Sequence, residues 1–323
     1  MRRREVIAGL GGAALFRPFA AWPQQARPPR RIALVHSGIP AEKLTETGGT
    51  YWVRRFHEEL CSLGHREGDT IAIARFSAQG DTTRYAALSA EIALSAPEVI
   101  ISNSNSLVKS LIQAAPAIPV VGILGDPVGA GLVKTIARPG GSLTGVTVDG
   151  GPGIAGKRLQ ILRETVPGAG RIVHLLSSRA EELRAGPGIP RKVLADVSEA
   201  QLRRAFSELA DDKTDALVVS EDGSYLAMRS LIVALAAQYR LPAIYAYRDF
   251  AEIGGLLAYG PELGDLAKRM ANDVHLILNG TKPGDIPIYQ PTVYELLVNL
   301  KTASALGLAL PRALLAQADE VIE

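Results

Sequence analysis

The chain has 323 residues, 47% hydrophobic and 21% charged, which at about 100–200 residues per domain suggests two domains with cores large enough to need no disulfide or metal. The 35 Lys and Arg nearly balance the 33 Asp and Glu, leaving a net charge of +2, which argues against a dedicated nucleic-acid binder. A single cysteine, Cys61, excludes an intramolecular disulfide and a thiolate cluster for zinc or iron–sulfur.

Residues 1–30 differ from the rest. Arg2, Arg3 and Arg4 precede an apolar run from Val6 to Phe16, then Ala20-Ala21 and a Pro/Gln/Arg linker to Arg30. A basic start, a short apolar run and small residues are the layout of a secretory leader. The run is far below the ~20 residues that span a bilayer. The arginine pair resembles a twin-arginine signal. No cysteine follows the run, so no lipid anchor is expected. The expectation is export to the periplasm. The bland alternative is a basic tail on a cytosolic chain.

From Arg31 short apolar runs alternate with helical patterns. Ile32–His36, Thr70–Arg75, Pro97–Ser102 and Ile118–Leu124 read as strands, with helices over Thr47–Leu63 and Asp81–Leu94 between the first three. Strands apolar on both faces indicate a parallel sheet covered on both sides. The pattern then repeats. Leu143–Val148, Arg171–Leu176, Lys192–Val197, Asp215–Ser220, Ala243–Tyr247, Leu256–Tyr259 and Ile286–Gln290 are the strand candidates. Helices are expected at Gly156–Thr165, Ser198–Ala210, Gly223–Tyr239, Leu263–Leu278 and Tyr294–Leu306. So many strands exceed one doubly wound sheet. The expected fold is therefore α/β, two doubly wound Rossmann-like lobes with a cleft between them. Residues 31–123 plus about 256–285 would form the first lobe, and 124–255 plus about 286–323 the second. Ligands of such sheets sit at the carboxyl ends of the strands.

Gly151-Pro152-Gly153-Ile154-Ala155-Gly156-Lys157 fits two phosphate-loop patterns. Yet Arg158 stands where a P-loop needs Ser or Thr, and Pro152 removes a backbone donor. His36, His57, His65, His174 and His275 form no metal-ligand spacing, and no catalytic constellation emerges. Cys61 shares an apolar helix face with Phe56, Leu60 and Leu63 and is expected to be buried. No metal or cofactor is expected.

A recognition pattern remains. Ser102-Asn103-Ser104-Asn105-Ser106 joins a buried strand to a helix. A helix start with added hydroxyls and amides suits a carboxylate, whereas simple capping needs only one of them. Asp126 and Asp222 end strands where a cleft should lie, and each suits an ammonium group or a cap. Ser37 and Ser178 follow strands in the two halves. Tyr225, Tyr245 and Tyr247 cluster near strand ends and offer flat apolar contact with a polar tip.

Several segments together carry a resemblance. They are Gly125-Asp126-Pro127-Val128-Gly129-Ala130-Gly131, Ala137-Arg138-Pro139-Gly140-Gly141, Gly156-Lys157-Arg158-Leu159, Leu241-Pro242-Ala243-Ile244-Tyr245 and Ala318-Asp319-Glu320-Val321-Ile322-Glu323. With them the chain resembles the ABC-transporter substrate-binding proteins of the type I periplasmic kind, in the branch with tryptophan- and phenylalanine-binding members. The resemblance implies two lobes that close on a small ligand and dock on a membrane permease. It implies that Ser102–Ser106 hold the ligand's carboxylate, that Asp126 lies near the cleft, and that Asp222 and Tyr245 face the ligand from the second lobe. The chain departs from the family between Ser178 and Arg191, where too few residues remain for a crossover helix, so the second lobe is expected to be locally shortened. A monomeric solute-binding subunit of an importer is the leading expectation. The alternatives are an exported nucleotide- or cofactor-binding enzyme using the Gly151–Lys157 loop, and a bilobed ligand sensor.

Overall fold

The computed structural model describes residues 28–148, 150, 152–177 and 189–323. The expected leader lies almost wholly outside these residues, and so do Ser178 and most of the stretch before Arg191.

The first sheet is built from consecutive strand–helix units. These are β1 (Arg30–His36), α1 (Tyr51–Ser62), β2 (Ile71–Ser77), α2 (Tyr85–Ser95), β3 (Val99–Asn103), α3 (Asn105–Ala114), β4 (Val120–Leu124) and β5 (Leu143–Thr147). The strands run parallel in the order β2-β1-β3-β4-β5. β3 and β5 are buried along their whole length, as strands covered on both faces are. α1 places Trp52, Val53, Phe56 and Leu60 on one buried face at helical spacing.

The second lobe follows with α4 (Pro152–Thr165), β6 (Ile172–Leu176), β7 (Arg191–Val193), α5 (Glu199–Asp211), β8 (Ala216–Val219), α6 (Gly223–Ala227), α7 (Arg229–Gln238), β9 (Ala243–Tyr245), α8 (Arg248–Glu252) and β10 (Leu257–Pro261). The chain then returns to the first lobe as α9 (Leu263–Leu278), which packs on α1 and β5. It crosses back into β11 (Tyr294–Asn299), α10 (Leu300–Leu306), α11 (Arg312–Gln317) and β12 (Glu320–Ile322). The second sheet runs β12-β11-β10-β9-β8-β6-β7, parallel except for β10 against β11. Crossings after β5, after β10 and before β11 leave each lobe discontinuous in sequence. A single buried apolar cluster includes Phe56 of the first lobe and Phe206 and Phe250 of the second.

Several elements differ from their sequence reading. Leu143–Thr147 pairs with β4 in the first sheet, although the sequence partition put it in the second lobe. The Pro/Gly-rich stretch before it is a helix-free connection within that sheet. Leu257–Pro261 belongs to the second sheet, because it pairs with β9 and β11. Tyr294–Leu306 is not one helix. Its first half is a strand, and Asn299 accepts the Thr302 N–H at 3.0 Å to start α10. Ile286–Gln290 forms only an isolated bridge, Tyr289 to Val146. Cys61 is exposed, because the α1 face that packs inward runs through Phe56, His57 and Leu60. The segment that fits the phosphate-loop patterns is helical at Pro152–Lys157: α4 already starts at Pro152, where the missing N–H costs nothing.

Candidate functional site

The carboxyl ends of β1 and β3 face the carboxyl end of β8 across the two lobes. Two glycines allow a close approach. A Cβ on Gly38 would lie 2.4 Å from the Ala227 Cβ, and one on Gly223 would lie 2.9 Å from the Asn103 Nδ2. The lobes therefore touch at these points.

On the first-lobe side, Ser37 and Asn103 pin β1 to β3. Ser37 N–H donates to Asn103 Oδ1 at 2.8 Å, and Asn103 Nδ2 donates to Ser37 Oγ at 2.9 Å. Both residues are buried. Just before them, His36 Nδ1 accepts the N–H groups of Gly38 and Ile39 at 3.0 and 2.9 Å. Its ring stacks on Trp52. Burial, helped by the Arg229 charge, pushes the His36 imidazole down to about 3, so it is neutral near pH 7. Ser104 takes a left-handed φ of 67° and caps α3, its Oγ accepting the Leu107 N–H at 3.4 Å. Tyr85, at the start of α2, lies beside Ser104, Ser37 and Asp222. Burial raises its phenol above the usual range and Asp222 adds to this, while the two serines oppose it.

The rest of the Ser/Asn tract serves the protein itself. Ser102 Oγ donates to the Asn103 carbonyl at 3.3 Å. Asn105 holds the Gly125–Asp126 turn: its Nδ2 donates to the Asp126 carbonyl at 3.2 Å, and its Oδ1 accepts the Gly125 N–H at 3.1 Å. Ser106 is exposed. Asp126 in turn accepts the Gly129 N–H at 2.7 Å, which is a turn-closing role.

On the second-lobe side, Asp222 caps α6, and its Oδ1 accepts the Ser224 N–H at 2.7 Å. Behind it stands a buried polar cluster that the sequence reading missed. Arg158 is fully buried. It donates from Nε to the Tyr259 carbonyl at 2.7 Å and from Nη1 to Glu221 Oε2 at 2.5 Å. Burial works against the Glu221 charge, but Arg158 outweighs it and holds this carboxyl below the usual range. His174, part of the same cluster, is pushed down to about 4 by burial. Tyr247 donates its hydroxyl to the Glu221 carbonyl, which fixes the turn that carries Asp222. Tyr225 is buried in the core. Tyr245 stacks on Phe250 at 4.6 Å and lines a separate cavity between α7 and α10.

The structure thus brings together Ser37, Asn103, Ser104 and Asp222 from the expected set. Tyr85 joins them. Its only signal was an aromatic near a helix start, four residues past the Asp81 that reads as a cap. Among the described residues no group of His, Cys, Asp and Glu is arranged to hold a metal ion, and no helix is long and apolar enough to cross a membrane.

The sequence profile of the ABC transporter substrate binding protein family matches residues 50–322. The chain belongs to this family. A tyrosine-binding protein of Clostridioides difficile (strain R20291) is 24% identical over 268 residues, covering 78% of this chain and 75% of that protein. The fold matches a domain solved in complex with L-Trp from Streptococcus pneumonia, with a TM-score of 0.77 at 22% identity over 91% of this chain and 100% of that one. A ligand-free, open substrate-binding protein with adhesive properties from Clostridium difficile gives a TM-score of 0.59 at 22% identity, over 91% of this chain and 99% of that one. These likenesses make the architecture that of a type I periplasmic binding protein, with two α/β lobes flanking a cleft. The family is one of binding proteins, and Arg158 after Gly156-Lys157 is a buried structural residue of α4.

Proposed function

We propose that this chain captures an aromatic α-amino acid outside the cytoplasmic membrane and delivers it to the permease of an ABC importer. The observation that carries the reading is the pairing across the cleft of an α3 N-terminus, opened by Ser104, with the Asp222 carboxylate. The ligand's carboxylate meets the first-turn N–H groups of α3, which carry the positive end of the helix dipole. Its ammonium group meets the Asp222 oxygen that Ser224 does not use. Tyr85 closes one wall and offers its ring to the side chain. The tyrosine-binding relative and the L-Trp complex support an aromatic amino acid as the ligand. The arginine-led, apolar N-terminal segment supports export, with residues 1–30 as leader and linker and the working protein as a monomer. Asp126 and Ser106 flank the same turn and tune it indirectly.

Capture proceeds by closure, and the ligand favours the closed state by its differential affinity for it. A ligand at a hundredfold excess over Kd stabilises the fold by about 2.7 kcal/mol. Thermal melts with L-tyrosine, L-tryptophan and L-phenylalanine test this, alongside their amides, their N-acetyl forms and myo-inositol. The free amino acids raise the melting temperature, whereas blocking either end removes the shift. Asp222→Asn selectively weakens ligands that carry the ammonium. If no aromatic amino acid shifts the melt, the reading fails.

A further inference from the structure

The second lobe contains a cavity of about 390 Å³ that takes no part in the cleft. It lies between α7, the Arg240–Ala243 segment, the Gly254–Leu256 turn and α10. This volume falls within the range of about 300–1,000 Å³ usual for small-molecule pockets. Its walls are apolar: Val233, Ala236, Leu241, Leu256 and Leu306. Its mouth carries two exposed cations, Arg240 and Lys301, and no acidic residue lines it. Neither cation forms an ion pair with a described residue; Arg240 donates only to the Ala305 carbonyl, at 3.3 Å.

A second feature lies deeper. Tyr245 lines the same cavity and is only 1% exposed. Its ring is held against Phe250, and its hydroxyl, which bonds no described residue, is reached by solvent. A hydroxyl that only water satisfies can exchange that water for the polar atom of a ligand that reaches it. Apolar walls, cations at the mouth and a water-reached hydroxyl within together define a ligand with an anionic head, an apolar body and a polar group at its far end.

We propose that this cavity is a second binding site, which takes a small amphipathic carboxylate with its head at Arg240 and Lys301, its body between α7 and α10, and a polar tail against Tyr245. The site is independent of the cleft and does not rest on the cleft's ligand being an amino acid.

The probe is 8-hydroxyoctanoate, with octanoate and 1,8-octanediol as partners that lack the tail hydroxyl or the charge. Binding is measured by calorimetry on the full chain and mapped by amide chemical shifts. The expected result is saturable binding of 8-hydroxyoctanoate with shifts confined to α7, α10 and the Gly254 turn. The Arg240→Gln/Lys301→Gln double variant weakens it at least tenfold and leaves 1,8-octanediol unchanged. Tyr245→Phe, which keeps the stack on Phe250, lowers the affinity of 8-hydroxyoctanoate about fivefold, to that of octanoate, and leaves octanoate itself unchanged. Ala236→Leu fills the cavity and abolishes binding, and its melting temperature reports that it still folds. The double variant, changed only at exposed side chains, keeps the test valid if Ala236→Leu does not fold. No saturable binding up to millimolar probe would overturn the proposal. So would shifts centred on Ser37, Ser104 and Asp222, or binding indifferent to the loss of both cations.

Discussion

His36 shows how one residue at a strand end serves both packing and the cleft. Its Nδ1 caps the turn that bends the chain from β1 toward Gly38, which works only for the neutral ring. The unfolded chain protonates this histidine near its ordinary value of 6.5, the folded chain only at about 3. The stability that follows is complete above pH 6.5 and is lost as pH falls toward 3. Between pH 6.5 and 5 the loss from this group is about 2 kcal/mol. His174 acts in the same direction, its value being about 4. Asp273 and Glu295, both pushed up to about 7 by burial, act in the opposite direction and gain stability as pH falls below 7. The whole-protein pH slope is therefore flattened, and a difference experiment is needed. His36→Asn keeps an acceptor for the two N–H groups but does not titrate. Urea unfolding at pH 7 and pH 5 should show an acid-induced loss about 2 kcal/mol smaller in His36→Asn than in the unaltered chain. Equal losses would mean that His36 is not desolvated in the fold. Sequence alone leaves His36 among the ordinary histidines, because the Trp52 ring stacked on it and the Arg229 charge acting on it are brought there by the fold.

At the scale of elements, the alternation of strand and helix was legible because short β-branched apolar runs such as Val99-Ile100-Ile101, bounded by breakers, read as doubly covered strands. Pairing was not. Leu143–Thr147 follows a Pro/Gly-rich stretch that looks like a domain boundary, yet backbone bonds to β4 return it to the first sheet. Tyr294–Leu306 has an apolar pattern that suits either period, and only the Asn299 cap divides it. Of the candidate site, the strand-end residues Ser37, Asn103 and Asp222 were legible from position. That Asn103 bonds Ser37, Ser104 caps α3 and Asn105 holds the Gly125 turn was not, since those partners lie outside the tract. Arg158 was read as a motif letter, but it ties α4 to β10 and to the end of β8. Its removal strands a part-buried carboxylate and a carbonyl. Arg158→Met should destabilise the chain by about 3–5 kcal/mol, whereas the Arg158→Met/Glu221→Gln pair, which also removes the charge left behind, should recover a large part of that loss. Urea unfolding of both variants measures this. Equal destabilisation by the single and double variants would show that packing, not the ion pair, is what α4 loses.

Closure belongs to the whole molecule, because no single lobe contains both halves of the cleft. The contact of Gly38 with Ala227 joins the lobes directly, and glycine is the residue that lets them meet. An added methyl at position 38 would sit 2.4 Å from the Ala227 Cβ, well inside contact distance. On the proposed closure both positions lie on segments that part when the cleft opens, so the clash would exist only in the closed arrangement. Gly38→Ala should therefore leave the ligand-free melting temperature almost unchanged and weaken the cleft ligand at least tenfold, or about 1.4 kcal/mol. Solution scattering supplies the structural arm. Saturating L-tyrosine should lower the radius of gyration of the unaltered chain, while Gly38→Ala at equal occupancy should remain expanded. The second-lobe cavity provides an internal control, since 8-hydroxyoctanoate does not need closure and should bind Gly38→Ala with unchanged affinity. A variant that compacts and binds L-tyrosine as the unaltered chain does would mean that the lobes close along another path, with Gly38 outside the seam.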